Sequence, residues 1–217
     1  MNETIKNFHD LYYSSKIWAY GGTKYKGINI EKLPLDLWIY QEIIYDLKPD
    51  LIVELGSFQG GSATWLGDIC ETFGHGHVIT FEITNSVIAP PHPRVDFIKT
   101  NCLIGVAVHK VKEAIAKYGS NVLVIDDASH EKDDVLKALE IYGPFVSKGS
   151  YFIVEDTNVP VTRDAVEEFL PSHPEFEIDK NCHKFFVTFN PNGYLKKIEL
   201  SDNQYEPKNL RKQTNEN

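Results

Sequence analysis

The chain has 217 residues, 42% of them hydrophobic and 12% aromatic, and a formal charge of -9. That length and apolar share fit one large domain with a substantial core and exclude a disordered chain. The acidic balance argues against a nucleic-acid partner held by bulk electrostatics, and the scattered Cys70, Cys102 and Cys182 form neither a zinc spacing nor a disulfide framework.

The segment Met1 to Asn7 has no apolar run of the signal-peptide kind, and nothing approaches the roughly 18 apolar residues of a membrane span. A cytoplasmic protein without membrane contact is the expectation. Aromatic residues crowd the N-terminal region: Tyr12, Tyr13, Trp18, Tyr20, Tyr25 and Trp38. They suit either a lid over a site or the packing of a cap or a homo-oligomer interface, and packing is the favoured reading. Residues 1–33 are expected to form this cap, 34–200 the main domain, and 201–217 a polar, frayed tail.

From Pro34 onward, short apolar runs alternate with amphipathic stretches, the pattern of a parallel sheet covered by helices. A helix follows Pro34, with Leu37, Tyr40, Ile43, Ile44 and Leu47 on one face. Strands are expected at 51–53, 78–81, 95–98, 122–125 and 151–154, each nearly continuous in apolar residues and so buried on both faces. Helical periodicity marks 63–73, 108–118, 135–142 and 163–170. Two further strand-like runs, 176–178 and 184–189, predict a terminal antiparallel hairpin closed by the turn Asn190-Pro191-Asn192-Gly193. The fold class expected is α/β, a doubly wound, mostly parallel seven-stranded sheet.

Ligands of such sheets bind at the carboxyl ends of the strands, where the strand order switches. The first of these strands runs into Glu54-Leu55-Gly56-Ser57-Phe58-Gln59-Gly60-Gly61-Ser62. Small residues here let a ligand approach the backbone, and Ser62 is placed to cap the next helix. Phe58 stands where a dinucleotide fingerprint needs its second glycine, and no lysine follows Gly60-Gly61 as a phosphate-binding loop requires. Glu54 and Glu82, at the ends of the first two of these strands, suit a ligand carrying an ammonium, a ribose and a sulfonium better than a pyrophosphate. The turn therefore points to S-adenosylmethionine, with Glu54, Gly56, Ser57, Gly60, Gly61, Ser62, Glu82 and Asp126 as candidate binding residues.

Two later strand ends carry Asp126-Asp127-Ala128-Ser129-His130 and Glu155-Asp156-Thr157. Carboxylates gathered on one rim repel unless they share a cation, and hard oxygen ligands suit Mg²⁺ or a similar divalent ion. His130 is then in reach of a substrate hydroxyl as its base. The competing structural reading is that Asp126 and Asp127 cap the following helix, with His130 in its first turn.

With these residues in place, the chain resembles the cephalosporin hydroxylase family, a methyltransferase-like group that includes rhamnosyl O-methyltransferases. The resemblance is carried by Lys32-Leu33-Pro34-Leu35-Asp36-Leu37-Trp38, Gln41-Glu42, Lys48-Pro49-Asp50, Val53 to Ala63, Gly149 through Val159, and Asn190 to Leu195. The Asp-Asp-Ala-Ser-His run is similar to that of macrocin-type sugar O-methyltransferases, which carry Gly where Ala128 stands. That likeness implies a magnesium site of Asp127, Glu155 and Asp156 with His130 as base. Cephalosporin-group members often carry an acid where Ser129 stands, which leaves the fourth-strand ligand open between Asp126 and Asp127. The resemblance implies Mg²⁺-assisted O-methylation of a hydroxyl on a sugar or other polyhydroxylated natural product. Two alternatives are a non-catalytic cofactor-binding module and an Fe(II)/oxoacid hydroxylase. The hydroxylase would have to recruit His173 or His183 to complete a two-histidine iron site.

Overall fold

The computed structural model describes residues 3–17 and 22–200. Helix α1 (Glu3–Ser14) and a two-stranded hairpin, β1 (Lys24–Tyr25) and β2 (Ile28–Asn29), precede helix α2 (Pro34–Leu47). Pro34 starts α2, since it lacks the N–H that a first turn leaves unpaired, and Lys48 ends it in a left-handed conformation at φ 45°.

Five parallel strands follow: β3 (Leu51–Leu55), β4 (His77–Glu82), β5 (Val95–Lys99), β6 (Val122–Asp126) and β7 (Tyr151–Val154). Helices α3 (Gly61–Thr72), α4 (Gly105–Tyr118) and α5 (Lys132–Tyr142) supply three of the crossovers a parallel sheet requires, β4 and β5 are joined without a helix, and α6 (Pro160–Phe169) follows β7. The last strands among the described residues are β8 (Phe176–Ile178) and β9 (Tyr194–Lys197), giving the strand order β5-β4-β3-β6-β7-β9-β8. The order reverses between β3 and β6, and this is the switch point at which ligands of such sheets bind.

Side chains alternate between the two faces of the sheet. Val53, Leu55 and Val124 pack under α4, α5 and α6, while Ile52, Leu123 and Ile125 pack under α2 and α3. All six are at most 1% exposed, which accounts for the unbroken apolar runs.

The terminal hairpin differs from the sequence expectation. Strand β8 lies where it was placed, but its partner is Tyr194–Lys197, beyond the 190–193 turn, and not residues 184–189. The 184–189 run is turn and bend, with Phe186 83% exposed. Its polar groups are captured elsewhere: Asp36 of α2 accepts hydrogen bonds from Thr188 Oγ1 (2.5 Å) and the Phe189 N–H (2.9 Å). A backbone donor taken by a side chain cannot also enter a ladder. Tyr194 and Leu195, both fully buried, make the better inner strand.

Of the N-terminal aromatics, Tyr12 and Tyr13 pack on Phe189, whereas Trp38 is 58% exposed. Tyr13 stacks on Phe189 with ring centroids 5.0 Å apart, and Tyr12 meets the same ring edge-on at 5.3 Å. The β1–β2 hairpin is tied to α3 by Tyr25 OH, which donates to Asp68 Oδ2 at 2.9 Å. Trp18, Tyr20 and the 201–217 tail lie outside the described residues.

Candidate active site

The parallel register sets the rim. Leu55 of β3 aligns with Phe81 of β4 and with Asp126 of β6, and Asp126 aligns with Val154 of β7. The next residues, Gly56, Asp127 and Glu155, therefore leave the sheet side by side. Backbone bonds continue the ladder past the strands: Asp127 N–H donates to Leu55 O at 2.8 Å and Glu155 N–H to Asp126 O at 3.0 Å.

Glycine at the turn is demanded by packing. At Gly56 (φ +86°) a Cβ would lie 2.3 Å from the Asp127 carbonyl oxygen, at Gly60 2.7 Å from Ala89 Cβ, and at Gly61 2.2 Å from Asn29 O. Gly60 and Gly61 thus seat α3 against the 86–97 segment and the N-terminal hairpin. Ser62 does not cap α3. The N-cap is Gly60, without a side-chain bond, and Ser62 lies one residue inside the helix.

Two cavities meet at Gly56. One, about 230 Å³, is lined by Gly56, Phe81, Glu82, Asn101, Cys102 and Asp126 among others. The second, about 210 Å³, has Lys32, Gly56, Ser57, Ser62, Asp127 and His130 in its wall, with Asp156 beside them. Glu82 clamps the turn, its Oε2 accepting from Phe58 N–H at 2.9 Å and its Oε1 from Thr84 N–H at 2.8 Å. Glu54 is fully buried and accepts from Thr80 Oγ1 at 2.6 Å. Burial raises its carboxyl above the usual range, against the pull of Lys32.

Asp126 and Asp127 part company at the rim. Asp126 faces the first cavity, 4% exposed, and burial pushes its carboxyl up to about 7. Its Oδ2, like the buried Ser57 Oγ, has no hydrogen-bond partner among the described residues. Asp127 turns the other way, to a cluster with His130 and Asp156 whose ligand-capable atoms lie within 4.8 Å of one another. Neither aspartate caps a helix, because α5 begins at Lys132 behind an N-cap at Glu131.

His130 Nε2 lies 2.6 Å from Asp156 Oδ2. That bond raises the imidazole above the ordinary histidine range, with burial opposing it. Asp156 is held in the left-handed region at φ 54°, a conformation that costs about 1 kcal/mol or more outside glycine. Its N–H donates to Asn190 Oδ1 at 2.9 Å, and its carbonyl accepts from Thr162 Oγ1 at 2.5 Å. These two bonds fix the carboxylate that faces the histidine.

Glu155 is buried beside the cluster. Its Oε1 accepts from Tyr40 OH at 2.9 Å and lies 2.6 Å from Lys32 Nζ, which also pairs with Asp127. Burial and the nearby Asp127 push the Glu155 carboxyl well above the usual range, opposed by Lys32. Burial works against the charge on Lys32, yet Asp127, Glu155 and Glu54 keep it protonated beyond the ordinary lysine range.

Lys32, Tyr40 and Asn190 join the site without standing among the candidates that sequence pattern offers. An isolated lysine before Leu-Pro, a helix tyrosine and a turn asparagine carry no local mark of partners up to 150 residues away. His173 and His183 are not drawn into the cluster. His173 stacks on Phe169 with centroids 3.7 Å apart, and His183 Nε2 accepts from Asn192 N–H at 3.4 Å.

Open at the switch point, with two cavities and a carboxylate-histidine group on one rim, this is an α/β fold of the class I methyltransferase type. The rhamnosyl O-methyltransferase/CmcI family model matches residues 17–198, and the chain belongs to that family. The rhamnosyl O-methyltransferase of Mycobacterium tuberculosis is 29% identical over 206 residues, covering 88% of this chain and 83% of that protein. Its counterpart in Mycobacterium leprae is 28% identical, covering 88% and 89%. Among solved structures, CmcI-N160 in its apo form superposes with a TM-score of 0.68 at 21% identity over 84% of this chain and 78% of its own. CmcI-D160 with Mg-SAM gives 0.66 at 22% over 83% and 78%. These two share the fold.

Proposed function

We propose that the protein is an S-adenosylmethionine-dependent O-methyltransferase, assisted by Mg²⁺ or a similar divalent ion, acting on a hydroxyl of a sugar-containing natural product. The observation that carries this reading is the convergence of Asp127, His130 and Asp156 in the cavity that Gly56 also lines. The mycobacterial relatives, named for rhamnosyl O-methylation, support a sugar hydroxyl as the acceptor.

Both groups fit the residues present. Two unpartnered, buried oxygens, Asp126 Oδ2 and Ser57 Oγ, face cavities on either side of Gly56 and suit the polar edges of the cofactor. Glu82 and Asp126 would hold its nucleoside half; Glu54, Gly56, Ser57 and Ser62 would surround its amino-acid half. Asp127, Glu155 and Asp156 offer the hard oxygens a divalent ion requires. When bound, the ion supplies Lewis-acid charge that acidifies the acceptor hydroxyl, and the sulfonium supplies the methyl.

The chain's own part is alignment and proton removal. Asp156 engages His130 Nε2 and orients the ring, so Nδ1 of the neutral imidazole is the atom left to take the hydroxyl proton. The two cavities that meet at Gly56 would hold cofactor and acceptor side by side, and such positioning supplies much of the acceleration. Residues 34–200 would form the catalytic domain, with 1–33 as its cap, and the cytoplasm is the compartment we assign.

Asp127→Ala and His130→Ala are expected to lower methyl transfer by at least about 100-fold while leaving S-adenosylmethionine binding measurable by calorimetry. Full turnover in both variants, or in excess chelator, would sink the mechanism. Adding S-adenosylmethionine to a panel of glycosylated metabolites and following a methyl gain by mass spectrometry identifies the acceptor.

A further inference from the structure

Lys32 is a cation already seated among the carboxylates. Its side chain is 4% exposed, pairs with Asp127 and lies 2.6 Å from Glu155 Oε1. Both partners belong to the three groups assigned above to the divalent ion. The lysine is not a surface side chain that happens to lean inward. It comes from the joint between β2 and α2, where Asn29 abuts Gly61 on one side and Leu33 O accepts the Asp36 N–H at 2.9 Å on the other. Glu155 is fixed from behind by Tyr40 OH, which itself accepts from Asn190 Nδ2 at 2.9 Å.

An ammonium and a divalent ion a few ångströms apart in a poorly solvated pocket repel strongly. They also need the same carboxylate lone pairs. We propose that Lys32 is a resident counter-cation that competes with the divalent ion for Asp127 and Glu155. It offsets part of the rim's negative charge in the ion-free protein and weakens ion binding, so that loading moves Nζ off at least one of the two carboxylates. This rests on the reading of the rim as a divalent-ion site.

The test titrates Mg²⁺ calorimetrically into wild type, Lys32→Met and Lys32→Arg without acceptor, and records melting with and without the ion. Lys32→Met is expected to bind Mg²⁺ about tenfold tighter or more, because a repelling charge is gone. It should also melt below wild type without the ion and recover when saturated. Lys32→Arg, which keeps the charge, should bind within about threefold of wild type. Binding that Lys32→Met leaves unchanged or weakens, with wild type binding normally, overturns the competition and leaves the site reading standing. Absence of Mg²⁺ binding in wild type and Lys32→Met alike overturns the site reading and this inference with it. If Lys32→Met does not fold, nitrogen-15 lysine NMR on wild type decides. The Lys32 Nζ resonance, assigned as the one lost in Lys32→Arg, must shift along the Mg²⁺ titration with the calorimetric midpoint. A resonance unmoved at saturation overturns the proposal.

Discussion

At the rim, Gly56 and Asp127 touch backbone to backbone, and an added Cβ at Gly56 would lie 2.3 Å from the Asp127 carbonyl oxygen. Gly56→Ala must relieve that clash at a φ of +86°, either by opening the β3–β6 joint or by shifting Asp127. We expect a loss of about 2–4 kcal/mol in chemical denaturation, from the clash and the left-handed backbone together. Cofactor affinity should fall with it. A variant as stable as wild type would show that the joint is softer than its geometry implies. The glycines were legible in the sequence, though the neighbours that crowd them were not. A spacing says where small residues stand but not which neighbour requires them. Asp127, His130 and Asp156 were legible because strand ends in a parallel sheet share a rim. Lys32 was not, since its partners lie 95 and 123 positions further along the chain, and only the fold brings them together.

Among the elements, the five parallel strands and the helices around them follow their apolar patterns closely, because burial on both faces leaves no alternative register. The end of the chain does not. Residues 184–189 have strand-forming side chains, yet Asp36 draws Thr188 and Phe189 toward α2, and Tyr194 OH donates to the same carboxylate at 3.0 Å. Long-range capture of backbone donors is invisible to a local pattern. Asp36→Ala would strand two hydroxyls and one N–H in the interior. It is expected to cost about 3 kcal/mol by urea denaturation, with the loop carrying Asn190 loosened first. Hydrogen exchange at Phe189 reads that loosening directly. Wild-type protection there would argue that the loop is held by the Tyr12 and Tyr13 rings instead.

For the molecule as a whole, acid sensitivity has an identifiable contributor remote from the site. His77, at the start of β4, is buried against Tyr118 with ring centroids 3.8 Å apart. Burial lowers its pKa below the ordinary 6.5, against the opposing Asp96. The unfolded chain therefore binds this proton near pH 6.5 while the folded chain resists it. The contribution of His77 to stability is complete above that value and is lost as pH falls through it toward the folded value. His77→Gln should flatten this part of the acid limb in melting temperature against pH. An identical slope in wild type and variant would place the sensitivity elsewhere.

The last strand, β9, is inserted between β7 and β8, and Asn190 just before it holds Asp156 in place. Translation therefore reaches Asp127, His130 and Asp156 well before the asparagine that anchors one of them, and before the strand that seals the sheet beside it. A nascent chain that has emerged only as far as α6 holds every proposed reacting group but lacks the clamp that arranges them. The proposed catalytic rim is thus assembled late in synthesis. A message cut short before the Asn190 codon would yield a polypeptide with the proposed reacting residues and no clamp on Asp156.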